Sequence, residues 1–147
     1  MTVQSSNPKQ GGGFKPPIDS RNYVNDFKTD WIKIGIDKDC IQFTDEFGRF
    51  LKNNQLTTSQ IRNVFGELKR IQMKGFKEEK TAFLLLKPKM AYAVARDGKK
   101  GLQQLTSVFN KAYDVVDVEG KNGPMHFQNL MDLMESILAY HKAYGGK

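Results

Sequence analysis

The chain has 147 residues, a single Cys, 39% apolar residues and a formal net charge of +7. That is enough chain for one domain with its own core, and too few cysteines for a disulfide framework or a zinc cluster. No stretch approaches the roughly 20 apolar residues of a membrane span, and "MTVQSSNPKQGGG" lacks the apolar centre of a signal peptide, so the sequence predicts a cytoplasmic protein without a membrane partner.

The charge is concentrated. Residues 49–100 hold thirteen Lys and Arg against four Asp and Glu, whereas the segments before and after are each close to neutral. A general solubility excess would be spread along the chain, so the concentration points to a polyanion partner; the plainer alternative is a solvated charged face.

Residues 1–17 combine Gly, Pro, Ser, Asn and Gln with little to bury, which predicts a flexible tail and leaves 18–147 as a single helical domain. From Ile18 to Ile36, the residues Tyr23, Phe27, Trp31 and Ile34 recur at helical intervals behind Asp19 or Ser20 as cap, predicting a helix. Cys40 reads as a small buried residue. In "CIQFTDEFGRFLKNN", Ile41 or Phe43 joins Phe47, Phe50 and Leu51 in one stripe and predicts a helix over 40–53.

The segment "TTSQIRNVFGELKRIQ" (57–72) opens with a capping box, Thr57 followed three residues later by Gln60. Its core stripe is Ile61, Val64, Phe65, Leu68 and Ile71. Arg62 and Lys69 share a flank of that stripe with Gly66 between them, whose missing side chain lets a phosphate come close. Arg70 points the opposite way, into solvent.

Between Phe83 and Ala95 the next segment is apolar nearly all round, the pattern of a helix central to a bundle, with a kink or break expected near Lys87 because of Pro88. Lys89, Tyr92 and Arg96 follow at i, i+3 and i+7. Either the two cations hold phosphates while Tyr92 stacks, or Tyr92 is core and Arg96 pairs with a carboxylate on a neighbouring helix; spacing alone does not decide. Two amphipathic helices complete the chain, one on Leu102, Leu105, Phe109, Ala112 and Val116, the other on Phe127, Leu130, Met131, Met134, Ile137 and Leu138 behind Pro124. Nothing alternates with period two, so the predicted class is all-α, a compact bundle of about five helices.

Catalytic signals are missing. His126 and His141 are separated by about 22 Å along one helix, too far for a shared metal, and His141 falls in the apolar stripe. Without HExxH, a carboxylate cluster or a full phosphate loop, the sequence predicts no enzyme, no metal site and no cofactor.

Three segments in order, "LTTSQIRNVFGELKRI", "LLLKPKMAYAVAR" and "ESILAYHKAY", resemble the small subunit of the type III-A CRISPR effector, the Csm interference complex. The resemblance covers about residues 40–144. It implies a helical, non-catalytic subunit present in several copies, stacked as a filament beside the backbone subunits and cradling the duplex of CRISPR RNA and target RNA, with cleavage assigned to other subunits. Such a subunit contacts phosphate and sugar and leaves base identity to pairing. Arg62 and Lys69, then Arg49 and Lys52, with Lys89 and Arg96 behind them, are the residues expected to bind nucleic acid. Two other readings stay open: a helix-turn-helix DNA binder with 57–72 as recognition helix, although that helix offers only Gln60 as a base reader in its first turn, and a pure protein-assembly module.

Overall fold

Seven α-helices and one 3-10 turn carry residues 15–147, which the computed structural model describes, and no strand occurs among the described residues. The tail expected over 1–17 lies outside the described residues as far as residue 14. Residues 15–17 belong to the structured part, since the carbonyls of Pro16 and Pro17 accept from Arg21 Nε and Ser20 N.

The single helix expected over 18–36 is three short pieces: the 3-10 turn Ile18–Ser20, α1 (Tyr23–Asp26) and α2 (Asp30–Lys33). The periodicity was real in three of its four members, because Tyr23, Phe27 and Trp31 are all buried, but Ile34 is 74% exposed. The backbone breaks because neighbours claim its polar groups. Lys111 Nζ donates to the carbonyls of Val24 and Phe27, and the Gln104 amide bridges Tyr23 N and Arg21 O. Phe27 then turns extended, at φ −72° and ψ 130°.

The long helices follow: α3 (Lys38–Asn53), α4 (Thr58–Lys74), α5 (Lys80–Asp97), α6 (Lys100–Tyr113) and α7 (Gly123–Ala143). Asp37 caps α3 by accepting from Cys40 N at 2.9 Å. The capping box of α4 is present in both directions, Gln60 N to Thr57 Oγ1 at 3.2 Å and Thr57 N to Gln60 Oε1 at 3.0 Å. Of the stripes, Phe43 rather than Ile41 faces inward on α3, and on α4 Ile61, Leu68 and Ile71 are fully buried while Val64 and Phe65 are only partly so.

The central helix is α7, which packs on α2, α3 and α4 and buries residues around most of its circumference, from His126 to His141. This corrects the placement of α5. It packs on α4 and α6 at the edge of the bundle, burying Phe83, Leu86 and Met90 and leaving Leu84, Leu85 and Tyr92 exposed. Nor does Pro88 break it: α5 is one helix from Lys80 to Asp97. Proline removes the N–H that would bond to the carbonyl four residues earlier. That carbonyl, of Leu84, accepts instead from the Tyr113 hydroxyl at 3.0 Å.

α3 and α7 run in the same direction and touch closely. Thr44 Oγ1 lies 2.6 Å from Ser136 Oγ, and one turn further along both helices a Cβ added to Gly48 would stand 2.6 Å from Tyr140 Cβ and 2.9 Å from the His141 nitrogen. Gly66 on α4 is the contrasting case, with nothing within 4 Å of the corresponding position. Gly48→Ala is therefore expected to destabilise the chain by about 1–3 kcal/mol through overpacking, whereas Gly66→Ala stabilises it by about 0.5–1 kcal/mol by restricting the unfolded chain. Urea denaturation of both variants checks the opposed signs.

Candidate nucleic-acid interface

The candidate cations come in three pairs. Arg49 and Lys52 sit on the last turns of α3, exposed, beside the end of α7: the Arg49 guanidinium lies 5.8 Å from the Tyr144 ring centroid, and Lys52 borders Gly145. Tyr144 is itself held by its hydroxyl to Asp45, and Thr58 at the start of α4 donates to Gly146 O at 3.3 Å. Arg49 and Lys52 thus border one segment, residues 144–146, and Arg62 stands on α4 one turn beyond Thr58, which touches the same segment. Lys69 continues the row two turns on from Arg62, its ammonium 5.5 Å from the Phe65 ring centroid.

Lys89 and Arg96 are elsewhere. They line a groove between α5 and the opposite flank of α4, where Gln60, Asn63, Val64 and Glu67 face them. Tyr92 is 66% exposed with the Arg96 guanidinium 5.8 Å from its ring centroid, and Arg96 forms no ion pair among the described residues. The second of the two sequence readings, a core Tyr92 and a paired Arg96, is thus not the arrangement found. The six cations do not make one patch: four follow the α3–α4 side and two the α4–α5 groove.

What the six share is that none forms an ion pair among the described residues, whereas other basic residues of the same middle third do. Arg70 reaches Glu67 at 3.1 Å and Glu79 at 2.7 Å, Lys80 reaches Glu119 at 2.9 Å and Lys87 reaches Asp114 at 2.7 Å. The Glu67 carboxyl is held below its ordinary range, first by the hydrogen bond from Arg70, so it stays ionised and keeps Arg70 occupied. Sequence spacing had missed Lys99 and Lys147. Both line a depression with Lys52, Gln55, Leu56, Thr57 and Gly145, behind a turn made by Gln55 in the left-handed region at φ 69°. No periodicity links Lys52, Lys99 and Lys147, which meet only because two residues alone separate α5 from α6 and the chain beyond α7 folds back on α4.

A family model, Csm2 Type III-A, matches residues 37–147. The chain belongs to the Csm2 Type III-A family. A Csm2 chain is a small, structural subunit of a type III-A CRISPR complex, and its partners are the other Csm subunits of that complex. Neither the curated proteins nor the solved structures compared with the chain gave a match. The matched region takes in all five long helices and every one of the six candidate cations. Among the described residues no group of His, Cys, Asp and Glu is placed to hold a metal, and no helix is long and apolar enough to cross a membrane.

The titratable groups with shifted values serve the scaffold that displays this surface. Burial pushes the Cys40 thiol up to about 12, so it is a neutral core group. His126 Nδ1 accepts from Asp117 N at 3.1 Å and ties the turn before α7. His141 is fully buried, its Nε2 2.8 Å from Leu56 O, which requires the proton on Nε2, while Nδ1 has no partner among the described residues. Burial lowers its affinity for a second proton, the hydrogen bond to Leu56 partly opposes this, and Lys142 adds to it.

The sign follows from linkage. Folded His141 titrates below its unfolded value of 6.5, so the unfolded chain binds more protons and stability falls as pH drops through and below 6.5. Denaturant midpoints from pH 7.5 down to 5 are expected to decline, above the range where carboxylates protonate. His141→Gln, which keeps a donor for Leu56 O but cannot take up a proton, should flatten that decline.

Proposed function

We propose that this Csm2 chain is a non-catalytic, cytoplasmic subunit that lines up in several copies along its effector, in antiviral defence. It holds the duplex of CRISPR RNA and target RNA through phosphate and sugar contacts. The observation that carries the reading is that Arg62 and Lys69, on either side of Gly66, have no ion pair among the described residues, whereas Arg70 beside them is occupied by two carboxylates. Seven residues place the two about 10 Å apart along α4, a span of roughly two phosphates. Open space over Gly66 lets a backbone approach between them. Arg49 and Lys52 extend the same side toward the end of α7.

Exposed cations on flexible side chains carry no base code, so binding is expected to be insensitive to sequence and to weaken steeply with salt as counterions are released. Base reading by α4 in the manner of a helix-turn-helix protein is disfavoured by the state of the one suitable residue in its first turn. Gln60 is engaged at both ends of its amide, by Thr57 N and by Asp97, and is held against its own helix start rather than turned to a base edge.

The test is a titration of the assembled complex with several unrelated target RNAs across salt. Arg62→Ala combined with Lys69→Ala should weaken retention of all of them alike and lower the salt slope by about one to two. The melting temperature should stay put, since neither side chain is in the core. Arg70→Ala, whose guanidinium is committed to Glu67 and Glu79, is the control and should leave retention unchanged. Undiminished RNA binding by the double variant, or a larger loss in Arg70→Ala, overturns the placement.

A further inference from the structure

The groove between α4 and α5 has a volume of about 280 Å³, an apolar floor that includes Val64, Met90 and Ala93, and a rim bearing Asn63, Lys89 and Arg96. Two of its other polar groups are already engaged: the Glu67 carboxylate accepts from Arg70, and Asp97 accepts from Gln60. Among the described residues the Asn63 side chain makes no hydrogen bond and neither cation an ion pair, so the rim offers one free amide and two unpaired cations, with the Glu67 and Asp97 carboxylates beside them, over an apolar slot.

That combination selects among ligands. A simple anion has no use for the apolar floor, and an apolar chain has none for the two cations. A flat body with a hydrogen-bonding edge and phosphates on both sides uses all three. Lys89 and Arg96 stand about 10 Å apart along α5, which suits the 5′ and 3′ phosphates of a nucleotide inside a chain better than the one phosphate of a free nucleotide.

We infer that the α4–α5 groove takes a single unpaired nucleotide of an RNA strand. Its base lies on Val64, Met90 and Ala93 with its edge on Asn63, and its flanking phosphates lie on Lys89 and Arg96. This rests on the RNA-binding reading above and adds a place on the chain where a base, as distinct from a backbone, is held. A stacked, paired base cannot reach the slot, whereas one already extruded from its helix enters without the cost of unstacking.

The test uses the full chain and two RNA duplexes of one sequence, fully paired or carrying one unpaired adenosine, with adenosine monophosphate followed by NMR shift mapping as a third arm. The bulged duplex should bind at least about fivefold more tightly, the lower end of what one base contact contributes. Ala93→Phe, which fills the floor, should return the bulged duplex to the affinity of the paired one and leave the paired one unchanged. Asn63→Ala, at an exposed position where the fold is insensitive, should lose part of the same increment and carries the test if Ala93→Phe fails to fold. Equal affinity for the two duplexes, with no shifts in the groove on adding the monophosphate, overturns the site while paired-duplex binding still supports the backbone reading. Groove shifts with the monophosphate but no increment from the bulge overturn the RNA strand as the source and assign the slot to free nucleotides. If neither duplex binds, the backbone reading fails, and the monophosphate arm alone then decides whether the groove holds a nucleotide.

Discussion

The close contact of α3 with α7 at Gly48 is the constraint on which the rest depends. With no side chain at that position, α3 lies against the backbone of α7 at Tyr140 and His141, and Thr44 and Ser136 meet one turn earlier. The contact fixes register as well as distance. It brings Leu56 O to His141, Asp45 to Tyr144 and Thr58 to Gly146, so the turn between α3 and α4 is stapled to the end of α7. Arg49 follows Gly48 directly and turns about 100° away from the contact, into solvent beside Tyr144. The position of the basic edge is thus a by-product of how closely two helices meet.

The electrostatics divide along the same lines. Basic residues that bridge elements are neutralised on the spot: Arg21 by Glu46 across the first turns, Lys87 by Asp114 between α5 and α6, Arg70 by carboxylates before and after the end of α4. Lys111 spends its charge on backbone carbonyls that have lost their helical partners. The six candidate cations, left without ion pairs among the described residues, sit on the outer flanks of α3, α4 and α5. Exposed pairs contribute little to stability, so the uneven distribution is better understood through what it presents outward than through what it holds together.

How much of this could be read from the sequence depended on whether a feature belongs to one helix or to two. The start of α4 with its capping box and the buried stripes of α3, α6 and α7 are local properties of period and capping, and Ile61, Leu68, Phe47 and Ile137 were legible as core. Two readings failed for non-local reasons. Tyr23, Phe27 and Trp31 have helical spacing and are buried, but Lys111 and Gln104, more than 80 positions away, take the polar groups that a continuous helix would need. An all-round apolar segment such as α5 does not state how many neighbours it has; packed mainly on α4 and α6, it leaves Leu84, Leu85 and Tyr92 outside. The candidate site followed the same rule. The Arg62–Lys69 flank could be seen from spacing, while the groove and the meeting of Lys52 with Lys99 and Lys147 needed the packing of separate helices.

The outward side of α5 has a consequence for handling the isolated chain. Leu84, Leu85 and Tyr92 form an exposed apolar strip on a molecule of net charge +7, so colloidal dispersion at low ionic strength relies on mutual repulsion. Salt strong enough to strip nucleic acid shortens the Debye length to about 3 Å near 1 M and removes that repulsion. The wash that cleans the preparation therefore also lets the α5 strips adhere to one another, and removing RNA and keeping the chain dispersed pull the choice of buffer in opposite directions.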